Sequence, residues 1–150
     1  MRKDFLNLFK YNDWANERVL ESFKTAEKIN EKTRMLFSHI LISQTIWLER
    51  ILAKAQTFKT TMQLLSIDEC TKLSKQSTKD WIIIIESLDE EKLSSIVKYR
   101  NTKGDEYQNR LSDIITHVIN HSSYHRGQIA LLVRNSGGIP AVTDYIAYCR

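Results

Sequence analysis

The scarcity of helix-breaking residues is the feature that most limits what this chain can fold into. One proline and four glycines occur in 150 residues, and both residue types interrupt or end regular helices. A sheet protein with many tight turns needs more of them at its corners. The chain is therefore predicted to be all-α, with long helices joined by short links. Its length is typical of one domain, covering residues 1–150.

Apolar residues recur at helical spacing in four long segments. The predicted helices run from about Asp4 to Glu27, from Glu31 to Ala55, from Asp68 to Leu88, and from Ser112 to the residues before Gly137. Asp68 and Ser112 are the expected N-caps of the last two helices, and Gly-Gly followed by Pro140 is a strong stop signal. Four long helices with short connections predict a four-helix bundle.

Three shorter segments have sequence patterns that differ from those of the long helices. The isoleucine run at Ile82–Ile85 favours a strand by local propensity, but the helical spacing of the residues around it favours a helix. Between residues 95 and 110, polar and apolar side chains alternate on the way to the turn sequence Asn101–Asp105. This pattern predicts a short hairpin or an irregular connection. A closing turn or short helix is expected at Asp144–Ile146.

Charge and cysteine content exclude several classes of function. The net charge is +4, with Lys and Arg scattered among Asp and Glu, so no basic recognition helix for nucleic acid is predicted. No segment approaches the roughly 20 apolar residues that span a membrane, and acids and amides stand where a signal peptide has its apolar run. Cys70 and Cys149 lack CxxC spacing and are expected to be reduced thiols. We expect a cytoplasmic protein that acts on a small molecule.

Histidine spacing on the last long helix predicts a metal site. His121 and His125 are four residues apart, so their imidazoles lie one turn apart and can reach one ion. The apolar residues around them turn this face toward neighbouring helices, where a lone imidazole is costly without a partner. His39 lies in the apolar stripe of the second helix. We predict that His39, His121 and His125 bind one divalent transition metal inside the bundle.

Three more residues near this pair have expected roles. His117 continues the four-residue ladder at the edge of the apolar stripe, and it is predicted to support the site or to be structural. The alternative is that His117 replaces His121 as a ligand. Gln128 lies on the His121 side of the helix and is expected to hydrogen-bond near the site. Arg126 is expected to point away and to form a helix-end or interhelical salt bridge.

The residues between the two histidines exclude some types of metalloenzyme. The pair reads His-Ser-Ser-Tyr-His, without the glutamate base of the HExxH proteases. The chain also lacks the Glu-x-x-His motif of di-iron carboxylate bundles. Three neutral imidazoles suit zinc or nickel first, with iron, cobalt or manganese as alternatives, and they leave coordination positions open. An open position is typical of a catalytic site.

Four motifs, in order along the chain, resemble the DinB-like superfamily of four-helix metalloproteins. They are Tyr11–Asn16, His39 with Trp47–Arg50, His121–Gln128 in the pattern HxxxHRGQ, and Asp144–Tyr148. Each motif is weak alone, but four in the family's order are specific, and they cover nearly the whole chain. The resemblance implies a bundle that holds a metal with the same three histidines.

The resemblance implies less about the reaction. Members of the superfamily include S-transferases that use small thiols such as bacillithiol or mycothiol, and a related maleylpyruvate isomerase. Many members have no assigned activity, and the family name records induction by DNA damage, a stress response, rather than DNA binding. We expect a metal-dependent transferase that joins a low-molecular-weight thiol, bacillithiol being the first choice, to a small electrophile.

Two other functions remain open at this point. The first is a metal-dependent hydrolase that uses water as the nucleophile, with Glu49 or another acid as its base. The second is a non-catalytic, stress-related metal-binding protein. Whatever its function, a bundle of this kind could form a homodimer through exposed apolar helix surface.

Overall fold

The computed structural model describes residues 1–150 and contains four long helices, two short helices and one hairpin. Its elements are α1 (Arg2–Phe23), α2 (Glu31–Ile51), α3 (Ile67–Glu86), α4 (Glu90–Ser94), β1 (Ile96–Arg100), β2 (Glu106–Arg110), α5 (Leu111–Asn135) and α6 (Tyr145–Tyr148). The prediction of an all-α four-helix bundle with a short hairpin before the last long helix is confirmed. None of the helices combines the length and the apolar character that crossing a membrane requires.

The four long helices pack in an order that differs from their order in the chain. α1 packs against α3 and α5, and α2 packs against the same two helices. Consecutive helices α1 and α2 therefore occupy diagonal positions in the bundle. The antiparallel hairpin, in which Tyr99 lies opposite Tyr107, contacts α2 through β1 and α5 through β2. It therefore covers the side of the bundle where these two helices meet.

Three helices, α1, α3 and α5, begin earlier than predicted. For α3 and α5 the reason is local. The N-cap of α3 is Ser66 rather than Asp68, because Ser66 Oγ accepts a hydrogen bond from the Glu69 backbone N–H and the Glu69 carboxylate accepts one from the Ser66 N–H. α5 begins at Leu111, directly after β2, and has no side-chain cap. The Leu111 N–H donates instead to the Ser95 carbonyl at 2.9 Å, so the hairpin fixes the start of this helix.

Buried polar side chains divide the apolar core into two clusters. On α1, Phe9 belongs to one cluster and Val19 to the other, and the fully buried Asn12 and Asn16 lie between them. α3 and α5 repeat this arrangement. We call the buried polar residues that lie between the two clusters on these three helices the polar layer: Asn12, Asn16, Ser74, Ser77, Thr78, Ser122 and Arg126. Hydrogen bonds from this layer join α5 to α1, from Arg126 to Asn12 and Asn16, and α3 to α1, from Thr78 to Asp13.

Candidate metal centre

The structure brings His39 of α2 together with His121 and His125 of α5. One ring nitrogen from each histidine lies within 4.8 Å of those of the other two, and His39 Nε2 is 3.0 Å from His121 Nε2. The ring centroids are 4.5–4.9 Å apart. All three side chains are half-buried, so the cluster, called the histidine triad below, lies at the α2–α5 interface rather than at the centre of the bundle.

Hydrogen bonds on the outer side of two rings set which nitrogen carries the proton. His39 Nδ1 is 3.0 Å from the Thr61 carbonyl oxygen, which can only accept, so Nδ1 carries the hydrogen and Nε2 of the neutral ring has a free lone pair. His125 Nδ1 donates in the same way to Gln128 Oε1 at 2.7 Å. Such partners hold a ring in the orientation and tautomer that a metal ligand requires.

Burial favours the uncharged form of His39 and His121 and so keeps the lone pairs of these two rings available. Desolvation lowers the pKa of His39, and desolvation together with the neighbouring His125 lowers the pKa of His121 to about 3. Nitrogens bound to one zinc-like ion at 2.0–2.1 Å stand about 2.9–3.4 Å apart, depending on the coordination angle. The 3.0 Å separation of the His39 and His121 Nε2 atoms fits that requirement. The nitrogens of the whole triad spread over up to 4.8 Å, so the rings would have to close slightly around an ion. Three imidazoles are a donor set that suits a divalent transition metal.

Of the other residues predicted near the site, His117 lies outside the triad, and Gln128 is hydrogen-bonded to one of its members. The ring of His117 is exposed, and its centroid is 5.6 Å from that of His121. His117 is outside the group of converging nitrogens, and the structure thus places His121, not His117, in the triad. Gln128 contacts the site through its bond to His125.

The prediction for Arg126 is wrong. Its side chain is 1% exposed, and Nη1 donates to Asn12 Oδ1 at 2.6 Å and to Asn16 Oδ1 at 3.0 Å. Nη2 donates to Ser123 Oγ at 3.0 Å, and no salt bridge forms. The sequence carried a signal for this contact. Asn12 and Asn16 lie four residues apart inside the apolar stripe of α1, and buried asparagines require a hydrogen-bonding partner.

The loop that follows α2 also contacts residues at or near the site. The Thr61 carbonyl comes from the loop that follows α2, and a backbone carbonyl has no sequence signature. Glu49, the candidate base, is engaged in the same loop, where its carboxylate accepts from the Thr57 N–H at 3.1 Å and from the Thr57 hydroxyl. The exposed Tyr124 ring lies 5.1 Å from that of His125.

A four-helix bundle with three imidazoles converging between two of its helices is a scaffold suited to holding a metal ion. Within that class, the model of the DinB family matches residues 1–150, and the chain belongs to the DinB family. The chain is 27% identical to protein DinB of Bacillus subtilis (strain 168). The alignment is 158 positions long and covers 94% of this chain and 91% of that protein. The resemblance inferred from the four motifs is confirmed.

A solved structure shows the same fold. The crystal structure of a DinB-like protein from Bacillus cereus ATCC 10987 matches with a TM-score of 0.71 over 93% of this chain and 95% of that chain. The two sequences are 16% identical, so this similarity extends to the arrangement of the helices and not to the chemistry of the site.

Proposed function

We propose that this protein is a metal-dependent transferase that joins a low-molecular-weight thiol, such as bacillithiol, to a small electrophile. In this proposal His39, His121 and His125 bind one divalent transition metal, zinc or nickel first, within a single domain of residues 1–150. The observation that carries the proposal is the convergence of three imidazole nitrogens within 4.8 Å. Three protein ligands leave coordination positions for a substrate.

An external thiol fits the chemistry of this chain better than an internal one. A bound divalent ion would lower the pKa of a coordinated thiol and favour the nucleophilic thiolate. The chain's own thiols do not serve this role. Cys70 is buried, its Sγ is 3.6 Å from Ser38 Oγ, and burial raises its pKa. Cys149 follows α6 and is outside the group of potential metal ligands.

The position of Glu49 favours the transferase over the hydrolase. In the hydrolase alternative, an acid such as Glu49 would act as general base within hydrogen-bonding reach of the water. The Glu49 carboxylate is occupied by Thr57, and the group of converging ligands contains no carboxylate. A coordinated thiol would be deprotonated outright, whereas zinc-bound water keeps a pKa of about 7 and gains more from a base.

The proposal is tested by reconstituting metal-free protein with zinc, nickel or cobalt and adding a thiol with 1-chloro-2,4-dinitrobenzene. The thiol sulfur forms a thioether to the ring, while chloride and the thiol proton leave, and absorbance reports the product. We expect a rate at least about tenfold above the uncatalysed one, only with metal and thiol together. Hydrolysis of an activated ester without thiol would instead support a hydrolase, and metal binding without turnover on a broad panel would support the non-catalytic alternative.

Replacing the residue that orients His125 should weaken metal binding without abolishing it. Gln128→Leu removes the acceptor of the His125 Nδ1–H, and loss of such a partner typically costs 10–100-fold in metal affinity. We expect that loss in a competition titration against a chromophoric chelator. Gln76→Leu is the matched control, because Gln76 is exposed on α3 and donates only to Asp80. Equal affinities for Gln128→Leu and the unsubstituted protein would show that this bond does not orient the ligand.

A further inference from the structure

Arg50, near the end of α2, is a cation without an anion. It takes part in none of the salt bridges or side-chain hydrogen bonds of the structure, and its Nε is buried without a partner. Its guanidinium carbon lies 4.8 Å from the Trp47 ring centroid and 5.5 Å from that of Tyr99. Contact with two aromatic faces holds a guanidinium in place while its N–H groups keep their capacity to donate.

Two acidic side chains, one on α2 and one on the hairpin that carries Tyr99, already have partners of their own. Glu49, the preceding residue, accepts from Thr57. Glu106 on the hairpin pairs with Arg100. Burial lowers the pKa of Arg50, although a guanidinium remains charged at any physiological pH. A partly desolvated charge of this kind costs free energy unless an anion from outside the chain approaches it.

Arg50 lies on the triad's side of the bundle. The guanidinium of Arg50 lies over the Trp47 ring, whose centroid is 5.3 Å from the centroid of the His117 ring. The His117 centroid is in turn 5.6 Å from that of His121. On α2, Arg50 follows His39 by three helical turns, so both project from nearly the same face, about 16 Å apart along the axis. Helical side chains lean toward the N-terminus, and the contact with Trp47 shows that Arg50 leans back toward His39.

We propose that Arg50 binds the carboxylate of a small-molecule substrate whose sulfur end reaches the histidine triad. The preferred thiol would then be an anionic one, with its acid group several bonds from the sulfur. A guanidinium presents paired N–H donors that match a carboxylate. This assignment rests on the proposed function because it requires a ligand at the triad, and it adds the chemical class of that ligand.

The test uses protein loaded with cobalt(II), in which thiolate binding produces a charge-transfer absorption without turnover. Two probes of equal length are titrated: 6-mercaptohexanoic acid and 6-mercaptohexanol. We expect the acid to bind about tenfold more tightly, which corresponds to about 1.4 kcal/mol. Arg50→Gln should abolish this preference by weakening only the acid, and Arg50→Lys should retain part of it.

Arg18→Gln is the matched control, and it should keep the full preference. The Arg18 guanidinium lies 5.0 Å from the Trp14 ring centroid, as Arg50 does over Trp47, but Arg18 already donates to the Val142 carbonyl. Equal affinities for acid and alcohol in the unsubstituted protein would overturn the proposal. Retention of the preference in Arg50→Gln would overturn it as well.

A measurement without metal separates this proposal from the metal site. Titrating hexanoate into metal-free, ¹⁵N-labelled protein should shift the Nε–H resonance of Arg50, and hexanol should not shift it. Absence of the cobalt spectrum counts against the metal centre. Absence of the Arg50 shift counts against carboxylate binding, whichever result the metal gives.

Discussion

A His125→Ala chain should lose the stoichiometric metal ion that the unsubstituted chain is proposed to bind. Structural zinc sites with four ligands contribute about 10–16 kcal/mol, or about 2.5–4 kcal/mol for each ligand. Removing one imidazole should therefore lower the affinity by about a hundredfold to a thousandfold. The two remaining rings, His39 and His121, could then retain metal only weakly. His125 is half-buried, so the substitution should leave the fold intact.

Elemental analysis of the purified variants checks this expectation. His117→Ala is the matched control: it removes an imidazole from the same helix, but from outside the converging group, and it should keep the ion. Circular dichroism establishes that both variants are folded. Equal metal content in His125→Ala and the unsubstituted protein would refute the triad, and loss of metal from His117→Ala alone would make His117 the ligand.

The second large effect should come from the polar layer, where Arg126→Met is expected to destabilise the fold by about 2–4 kcal/mol. The substitution leaves the Oδ1 atoms of Asn12 and Asn16 without their donor, and each unpaired buried acceptor costs about 1–3 kcal/mol. Part of this cost is offset, because a buried cation no longer has to be desolvated. The free energy of unfolding in urea is the measurement.

A triple variant distinguishes the hydrogen bonds from the volume of the side chain. Arg126→Met combined with Asn12→Leu and Asn16→Leu removes donors and acceptors together, and it should be more stable than Arg126→Met alone. Arg126 is outside the group of converging ligands, so the metal content of both folded variants should match that of the unsubstituted protein. A single variant as stable as the unsubstituted protein would show that the polar layer does not stabilise the bundle.

Much of the fold was readable from residue types and their spacing. Few prolines and glycines predicted long helices, and apolar periodicity placed four of them to within a few residues. The i, i+4 pair His121/His125 and the stripe position of His39 predicted which histidines come together. These features are local: helix geometry follows from the chain itself, and a helix places residues four apart on one face in any fold.

Only the tertiary structure decided what each buried face touches. Periodicity shows that a face is covered without showing by which helix, and the diagonal placement of α1 and α2 was not predicted. That placement sets Arg126 against Asn12 and Asn16, more than a hundred residues away in sequence. The same holds for the Thr61 carbonyl behind His39. Partners of this kind depend on how separate helices and loops pack together, because hydrogen bonds and burial act across space and not along the chain.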